Sequence, residues 1–302
     1  MNGVVTTLAR ECGFELAGVA PAAAPPEWEF YRQWIDSGMA GEMRYLAGHR
    51  AAIRRDVRNL LPSARSVICV GKLYNTATDG RSISRYAQGL DYHDVIRSGL
   101  ERLAARLKDE FGQFDFKICV DTAPLLERAL ANHAGLGWIG KNTCLINQPA
   151  GSWFFLGELI TSLDLESGAP PPDRCGSCTR CIEACPTQAL VQLDGRWTLD
   201  SRLCISYLTI ELRGPIPERM QPLMGGHVFG CDICQDVCPW NRRAPVTDDP
   251  AFVPRNTRIG LEELSGMDED EFRRRFRTTP LWRTKLGSLR RNAEIASGNS
   301  GH

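Results

Sequence analysis

The 302 residues predict an α+β protein with a larger N-terminal α/β part, a small cysteine-rich part and a short helical C-terminal segment. Three observations carry this. Two cysteine runs lie between Cys175 and Cys238. Before residue 168, helical periodicity alternates with short apolar, β-branched runs. Between them, Gly168 to Asp173 (GAPPPD) reads as a linker. The expected boundaries are therefore 1–168, 169–245 and 246–302.

In order, Val4 to Cys12 has the pattern of an amphipathic helix, and Phe14 to Ala20 that of a short strand. A Pro/Ala loop leads to a helix over Glu27–Ser37 whose Trp28, Phe30, Tyr31 and Trp34 are expected in the core. Met43 to Arg58 is basic, and Ser66–Gly71 (SVICVG) reads as a buried strand. Residues 72–90 read as a loop, 91–110 as a helix and Phe114–Val120 as a strand ending at Asp121. Asp121-Thr-Ala-Pro124 has the residues of a helix start, so Asp121 is either a cap or a carboxylate placed for chemistry. Ala134 to Thr143 (AGLGWIGKNT) is a glycine-rich turn; Asn142 stands where a phosphate-binding loop needs a hydroxyl, so it is not one. Ser152–Thr161 reads as a strand of mixed burial.

The first cysteine run, Cys175-x2-Cys178-x2-Cys181-x3-Cys185-Pro186, has the spacing of bacterial two-[4Fe–4S] ferredoxins. The second, Cys231-x2-Cys234-x3-Cys238-Pro239, lacks a first member, because Val228 occupies its place. Cys204 between the runs is the spare thiol. The simplest count assigns Cys175, Cys178, Cys181 and Cys238 to one cluster and Cys185, Cys204, Cys231 and Cys234 to the other. Zinc and disulfides are the competing readings; three cysteines at this spacing disfavour the first, and an N-terminus without an export pattern the second. Cys12, Cys69, Cys119 and Cys144 remain and read as small core residues.

Charge is balanced, with 36 Lys/Arg and 36 Asp/Glu, so a nucleic-acid partner must be met by a local patch. Residues 273–291 hold eight Lys/Arg and no acid, either a solvated helical face or a phosphate-contacting patch. No apolar run reaches the length of a membrane span, and thiol-rich chains without export belong to reducing compartments, so no membrane contact and a cytoplasmic location are expected.

Thiolate clusters move single electrons at low potential, which makes the second part an electron wire fed by an external donor. The stretches CVDTAPLLER, AGLGWIGKNT, GSWFFLGELIT, Asp91-Tyr92-His93, CGSCTRCIEACPTQAL, CISYLTIE and GCDICQDVCPWN together resemble the epoxyqueuosine reductase family across nearly the whole chain. The resemblance implies a cobalamin-binding first domain beside the two-cluster domain. It also implies reduction of epoxyqueuosine to queuosine at the wobble position of a tRNA anticodon. A monomer is expected. By the same resemblance Asp121 is the general acid, a role that requires burial to raise its pKa toward neutral. Arg54, Ser84, Tyr86, Asp121, Lys141, Asn142, Thr143, Ser206 and Asp232 correspond to cobalamin contacts. Asp91 and His93 nearly mimic D-x-H-x-x-G, but Ile96 replaces the glycine, so His93 is expected on the substrate side or in a structural role rather than on cobalt. His93, Arg213, Arg290 and Arg291 are the RNA-contact candidates, beside Arg54, Arg55 and Arg58. Leu289 to Ala296 is where family members with a helical-repeat extension would begin it. The alternatives are a cobalamin-dependent reductive dehalogenase-like enzyme and a non-catalytic ferredoxin-type subunit. A tRNA assay, a halide-release assay and cobalamin binding separate the three.

Overall fold

The computed structural model describes residues 2–76, 82–255 and 259–300, with the side chains of residues 2 and 300 left aside. Residues 77–81, within the expected 72–90 loop, fall outside the described residues. The N-terminal half runs α1 (Asn2–Glu11), β1 (Leu16–Pro21), α2 (Glu27–Asp36), α3 (Gly48–Arg54), β2 (Ser66–Leu73), α4 (Tyr92–Phe111), β3 (Phe116–Cys119) and α5 (Glu127–His133). It continues with β4 (Trp138–Ile139), β5 (Leu145–Ile146) and β6 (Phe154–Thr161). The cysteine-rich part holds α6 (Arg180–Ala184), β7 (Leu190–Leu193), β8 (Arg196–Leu199), α7 (Ile205–Ile210) and α8 (Ile233–Asp236). It is followed by α9 (Leu261–Gly266), α10 (Glu269–Phe276) and α11 (Leu286–Ser300).

Four strands form a sheet of order β1-β2-β6-β3, antiparallel at every pairing. Both faces are covered, which is why β6 is almost wholly buried rather than of mixed burial. Ile68, Val70, Phe155 and Leu159 face α1 and α4, whose Val5, Ala9, Leu100 and Leu103 complete one core. Val67, Cys69, Cys119, Phe154 and Ile160 face α5 and the glycine-rich turn, meeting Leu130, Ala131 and Leu136 in a second. Cys12, Cys69 and Cys119 are buried as expected.

Gly157 is where α4 meets the sheet: a Cβ there would come within 2.5 Å of Ile96 Cγ2. Gly157→Val forces the helix off the strand. Overpacking of this kind costs about 1–3 kcal/mol, to be read as a lower denaturant midpoint with intact helical circular dichroism.

Two elements differ from their sequence expectation. The aromatic residues of α2 are half-buried rather than core. Trp28, Tyr31 and Trp34 run along the helix in ring contact, and the Trp34 indole N–H donates to Leu199 O at 2.7 Å. Arg196 lies over the Phe30 ring, so the helix is packed sideways on the β7–β8 hairpin. The Asp121 segment is not a helix start either. α5 begins only at Glu127, and residues 121–125 form tight turns, with Thr122 N–H bonded to Val120 O and Leu125 N–H to Ala123 O.

The C-terminal helices close a third core. Leu264, Phe272, Phe276, Leu289, Ala293 and Ala296 pack around Ile83, Ala87, Val228 and Phe229. Val228, the residue in place of the missing cysteine, is fully buried here. Asn292 Nδ2 bonds both Thr209 O and Val228 O at 2.8 Å, tying α11 to the segment that leads into the second cysteine run.

Candidate active site

The eight thiols fall into two neighbourhoods. Cys175, Cys178, Cys181 and Cys238 line one cavity of about 260 Å³ together with Lys141, Asn142 and Trp240. Cys231 lies near Cys185 and Cys204, and Cys234 near Cys231 and Cys204. Among the described residues no three His, Cys, Asp or Glu side chains converge as ligands of a single ion. Four thiols around one cavity are the donor set a [4Fe–4S] cluster takes.

Burial raises the pKa of most of these thiols, while backbone N–H groups aimed at the sulfurs work the other way. Ala189 N–H points at Cys185 Sγ at 3.3 Å. Lys141 N–H and the otherwise unpartnered Trp138 indole face Cys175. Ile233 N–H faces Cys231, Trp240 N–H faces Cys238, and Tyr207 and Ser206 N–H groups face Cys204. N–H donors aimed at sulfur stabilise an anionic ligand and tune cluster potential. Cys144 is not a core residue: it is half-buried, with its thiol against Cys234.

The predicted acid stands across from these loops. Asp121 ends the segment after β3 at φ +47, a left-handed conformation costly for a non-glycine residue. Its carboxyl is half-exposed. His93 Nε2 lies 3.1 Å from Asp121 Oδ2, and His93 Nδ1 lies 2.6 Å from Asp91 Oδ1. Asp91 also caps α4 through His93 N–H, so one carboxylate fixes both helix start and imidazole. Tyr92 bonds the Asp121 carboxyl from the same first turn.

This arrangement corrects the expected electrostatics of Asp121. Burial pushes its pKa up, but His93 and Tyr92, with Arg283 behind them, outweigh burial and hold it below the usual carboxylate value. His93 moves the other way. Burial disfavours its charge, yet bonds to Asp121 and Asp91 raise its pKa overall. The proton of the couple therefore resides on the imidazole, one hydrogen bond from Asp121.

Tyr86 joins the two halves of the site. Its ring packs against Tyr92 and Phe229, and its hydroxyl pKa is pushed far up by burial and by the charges of Asp121, Asp232 and Glu211. Ser84 Oγ donates to Asp232 Oδ1, and Arg85 N–H to Asp232 Oδ2 at 2.9 Å. Tyr45 and Glu211, hydrogen-bonded to each other, flank Asp121 on another side. Sequence reading missed Tyr45, Tyr92, Glu127 and Glu211. Only Tyr92, beside His93, had a local signal.

Other predicted contacts are already engaged within the chain. Lys141 Nζ donates to Gly176 O and Cys178 O, and Asn142 Nδ2 to Cys234 O, so the glycine-rich turn clamps both cysteine loops. Thr143 holds φ +63 and its carbonyl accepts from Arg128. The Ser206 hydroxyl lies on Cys204. Arg54 is buried, donating to Tyr45 O at 3.1 Å and Arg50 O at 3.3 Å.

The RNA-contact candidates each have partners within the chain. His93 has both ring nitrogens committed to carboxylates. Arg291 is turned inward onto the carbonyls of Leu208, Leu212 and Gly214 at the end of α7. Arg290 caps Met267 O, and Arg213 donates to Thr284 O and Arg283 O. These guanidiniums serve carbonyls that helix ends leave unpaired. Arg273 and Arg277 remain outward on the exposed side of α10, while Arg274 and Arg275 pair with acids.

An electron wire facing a proton couple defines an iron–sulfur oxidoreductase that uses two clusters. Comparison with known proteins supports this and narrows it. The family model "4Fe-4S double cluster binding domain" matches residues 174–241. The model "Epoxyqueuosine reductase QueG, DUF1730" matches residues 54–122. An epoxyqueuosine reductase of Xanthomonas campestris is 43% identical over 98% of this chain and 86% of its own. One of Gloeobacter violaceus is 43% identical over 98% and 96%. A crystal structure of selenomethionine-labelled epoxyqueuosine reductase superposes with TM-score 0.89 at 30% identity, covering 98% of this chain and 81% of that one. Another, of an epoxyqueuosine reductase with an epoxyqueuosine-modified tRNA-Tyr stem loop, gives 0.88 at 29%, covering 98% and 80%. The chain belongs to the epoxyqueuosine reductase family. The dehalogenase and electron-transfer-subunit readings are set aside on this similarity.

Proposed function

We propose that this reductase acts on epoxyqueuosine in a tRNA anticodon stem loop. The reading assigns cobalamin to the space between Asp121 and the Cys231–Cys238 loop, with residues 1–168 as its domain. The observation that carries it is Tyr86, whose ring packs against Tyr92, the partner of Asp121, and against Phe229 just before the Cys231–Cys238 loop, while its neighbour Ser84 bonds Asp232 of that loop. A relative solved with a modified tRNA stem loop supports the substrate.

The residues present fit a large amide-rimmed ligand. Ser84 and Asp232, bonded to each other, and Asn142, bonded to Cys234 O, are polar groups of the cluster-side wall that such a ligand would meet. On the segment carrying Ser84 and Tyr86, Thr76 Oγ1 and Arg85 Nε are buried polar atoms without a partner among the described residues. When bound, cobalamin supplies the low-potential metal centre from which the substrate carbon is reduced.

Removing an epoxide oxygen as water takes two electrons and two protons. The clusters provide the electron path, one electron at a time. The oxygen leaves with developing negative charge and needs a proton at that moment. Asp121 stands at the exposed end of the couple and is the proton donor to that oxygen. His93 refills it through the 3.1 Å contact, and Asp91 holds the imidazole with Nε2 toward Asp121. In a Bacillus subtilis epoxyqueuosine reductase the catalytic aspartate loop has been captured swung out of the active site. A loop able to move suits an acid that must admit a nucleotide.

The pH dependence follows with its sign. His93 has a raised folded pKa, so its charged form is favoured by folding; that contribution is full below the free value of about 6.5 and is lost as pH rises through the raised value. The single-turnover rate is expected to fall over the same rise. His93→Gln should lower the rate about 10²-fold, within the usual range for acid–base groups, and flatten this alkaline limb. A wild-type-like limb in that variant would remove His93 from the proton path.

A further inference from the structure

The centre of the sheet holds a charge that the mechanism above does not use. Glu158, on β6, is 0% exposed and is flanked in register by Cys69 on β2 and Cys119 on β3. Its side chain lies on the sheet face that α5 covers, beside Glu127. Neither Glu158 oxygen finds a donor among the described residues. A fully buried carboxyl without a donor to either oxygen favours its neutral, protonated form.

Glu127 has a second contact. Its Oε1 accepts the backbone N–H of Asp121 at 2.7 Å. That bond fixes the residue holding φ +47 and so the direction of the acid itself. Arg50, donating to Thr122 O at 2.6 Å, grips the next residue of the same turn. We propose that Glu127 and Glu158 form a buried acid pair sharing one proton, and that this pair positions the Asp121 turn. Both are positioning residues, and the inference rests on the reading of Asp121 as the proton donor.

The groups facing the pair agree. Asp121 adds negative charge from the loop, and Cys69 and Cys119 are neutral thiols whose pKa burial raises. Arg128 of α5 is turned to the Thr143 carbonyl and offsets little. Burial and the Asp121 charge push both carboxyls up; the Glu127 charge pushes Glu158 further, whereas the bond to Glu158 pulls Glu127 the other way, so the proton is favoured on Glu158. With one shared proton Glu127 is held between Glu158 and Asp121 N–H. Without it, repulsion drives Glu127 outward and releases the turn.

Infrared difference spectroscopy of the holoenzyme against Glu158→Gln tests this directly. The expected result is a deuterium-sensitive carbonyl band of a buried protonated carboxyl, present in the wild type and missing from the variant. Its absence from the wild type overturns the proposal, whatever Asp121 does. Kinetics give the second arm. Glu158→Gln keeps a donor toward Glu127 and should retain the single-turnover rate within about threefold. Glu158→Leu, with cluster content and folding verified, should lose about 10–100-fold at saturating stem loop with KM unchanged, as expected for a misplaced catalytic group. Glu127→Gln, on the partly exposed start of α5, should behave like Glu158→Gln. A Glu158→Leu rate equal to wild type overturns the positioning role. A full rate in Asp121→Asn with the band intact would instead refute the function of Asp121 and leave the shared proton standing.

Discussion

Asp121→Asn is expected to lower single-turnover reduction of an epoxyqueuosine stem loop by about 10²–10⁴-fold, the range for loss of a general acid. The amide keeps the size of the carboxyl and accepts from Tyr92 and His93, so the turn and the imidazole stay in place. It cannot accept a proton from His93 and pass it on. Both clusters and cobalamin should be retained, which optical and electron paramagnetic spectra of the reconstituted protein will read. A rate within a few-fold of wild type would exclude Asp121 as donor and leave His93, which carries the proton in the resting site, as the alternative acid.

Cys204→Ala is expected to be as severe by a different route. Cys204 sits alone in sequence, 19 residues after Cys185 and 27 before Cys231, yet lies with both. Removing it leaves three thiols for the second cluster, so the iron content should fall by half and the path toward Asp121 be cut. Reduction should fall below detection while the Cys175–Cys181 cluster persists. Val228→Cys, in contrast, should not rescue it. That position is fully buried among Phe229, Leu264 and Leu289, and a thiol there faces the C-terminal core. Full iron content in Cys204→Ala would return the second ligand set to the open question it is in the sequence.

Much of this was legible in advance because spacing in a chain is a geometric statement. Cysteines two and three residues apart turn their thiols to one side of a short loop, and the two runs announce two clusters whatever surrounds them. The strands Ser66–Gly71 and Phe114–Val120 and the helix after Asp91 were readable for the same reason, being periodic and bounded by turn residues. Asp121 stood out as a carboxylate closing a strand.

The electrostatics of the site were not legible. Asp121 has its pKa held below rather than raised above the usual carboxylate value because His93, 28 residues earlier, reaches it. No local pattern encodes that distance. Arg290 and Arg291 looked like phosphate contacts because charge is visible in sequence and direction is not; they are turned onto carbonyls of Met267, Leu208, Leu212 and Gly214. Lys141 and Asn142 looked like ligand contacts and clamp the cysteine loops. Glu158 looked like one polar position in a half-buried strand, but α5 covers that face and leaves it a buried acid beside another. The sequence by itself determined the ligand chemistry, the elements and the family, because these follow from residue type and short-range spacing. Only the tertiary structure decided where each proton sits and which cations are free, because those depend on which distant groups the fold brings within hydrogen-bond reach in a space with little water.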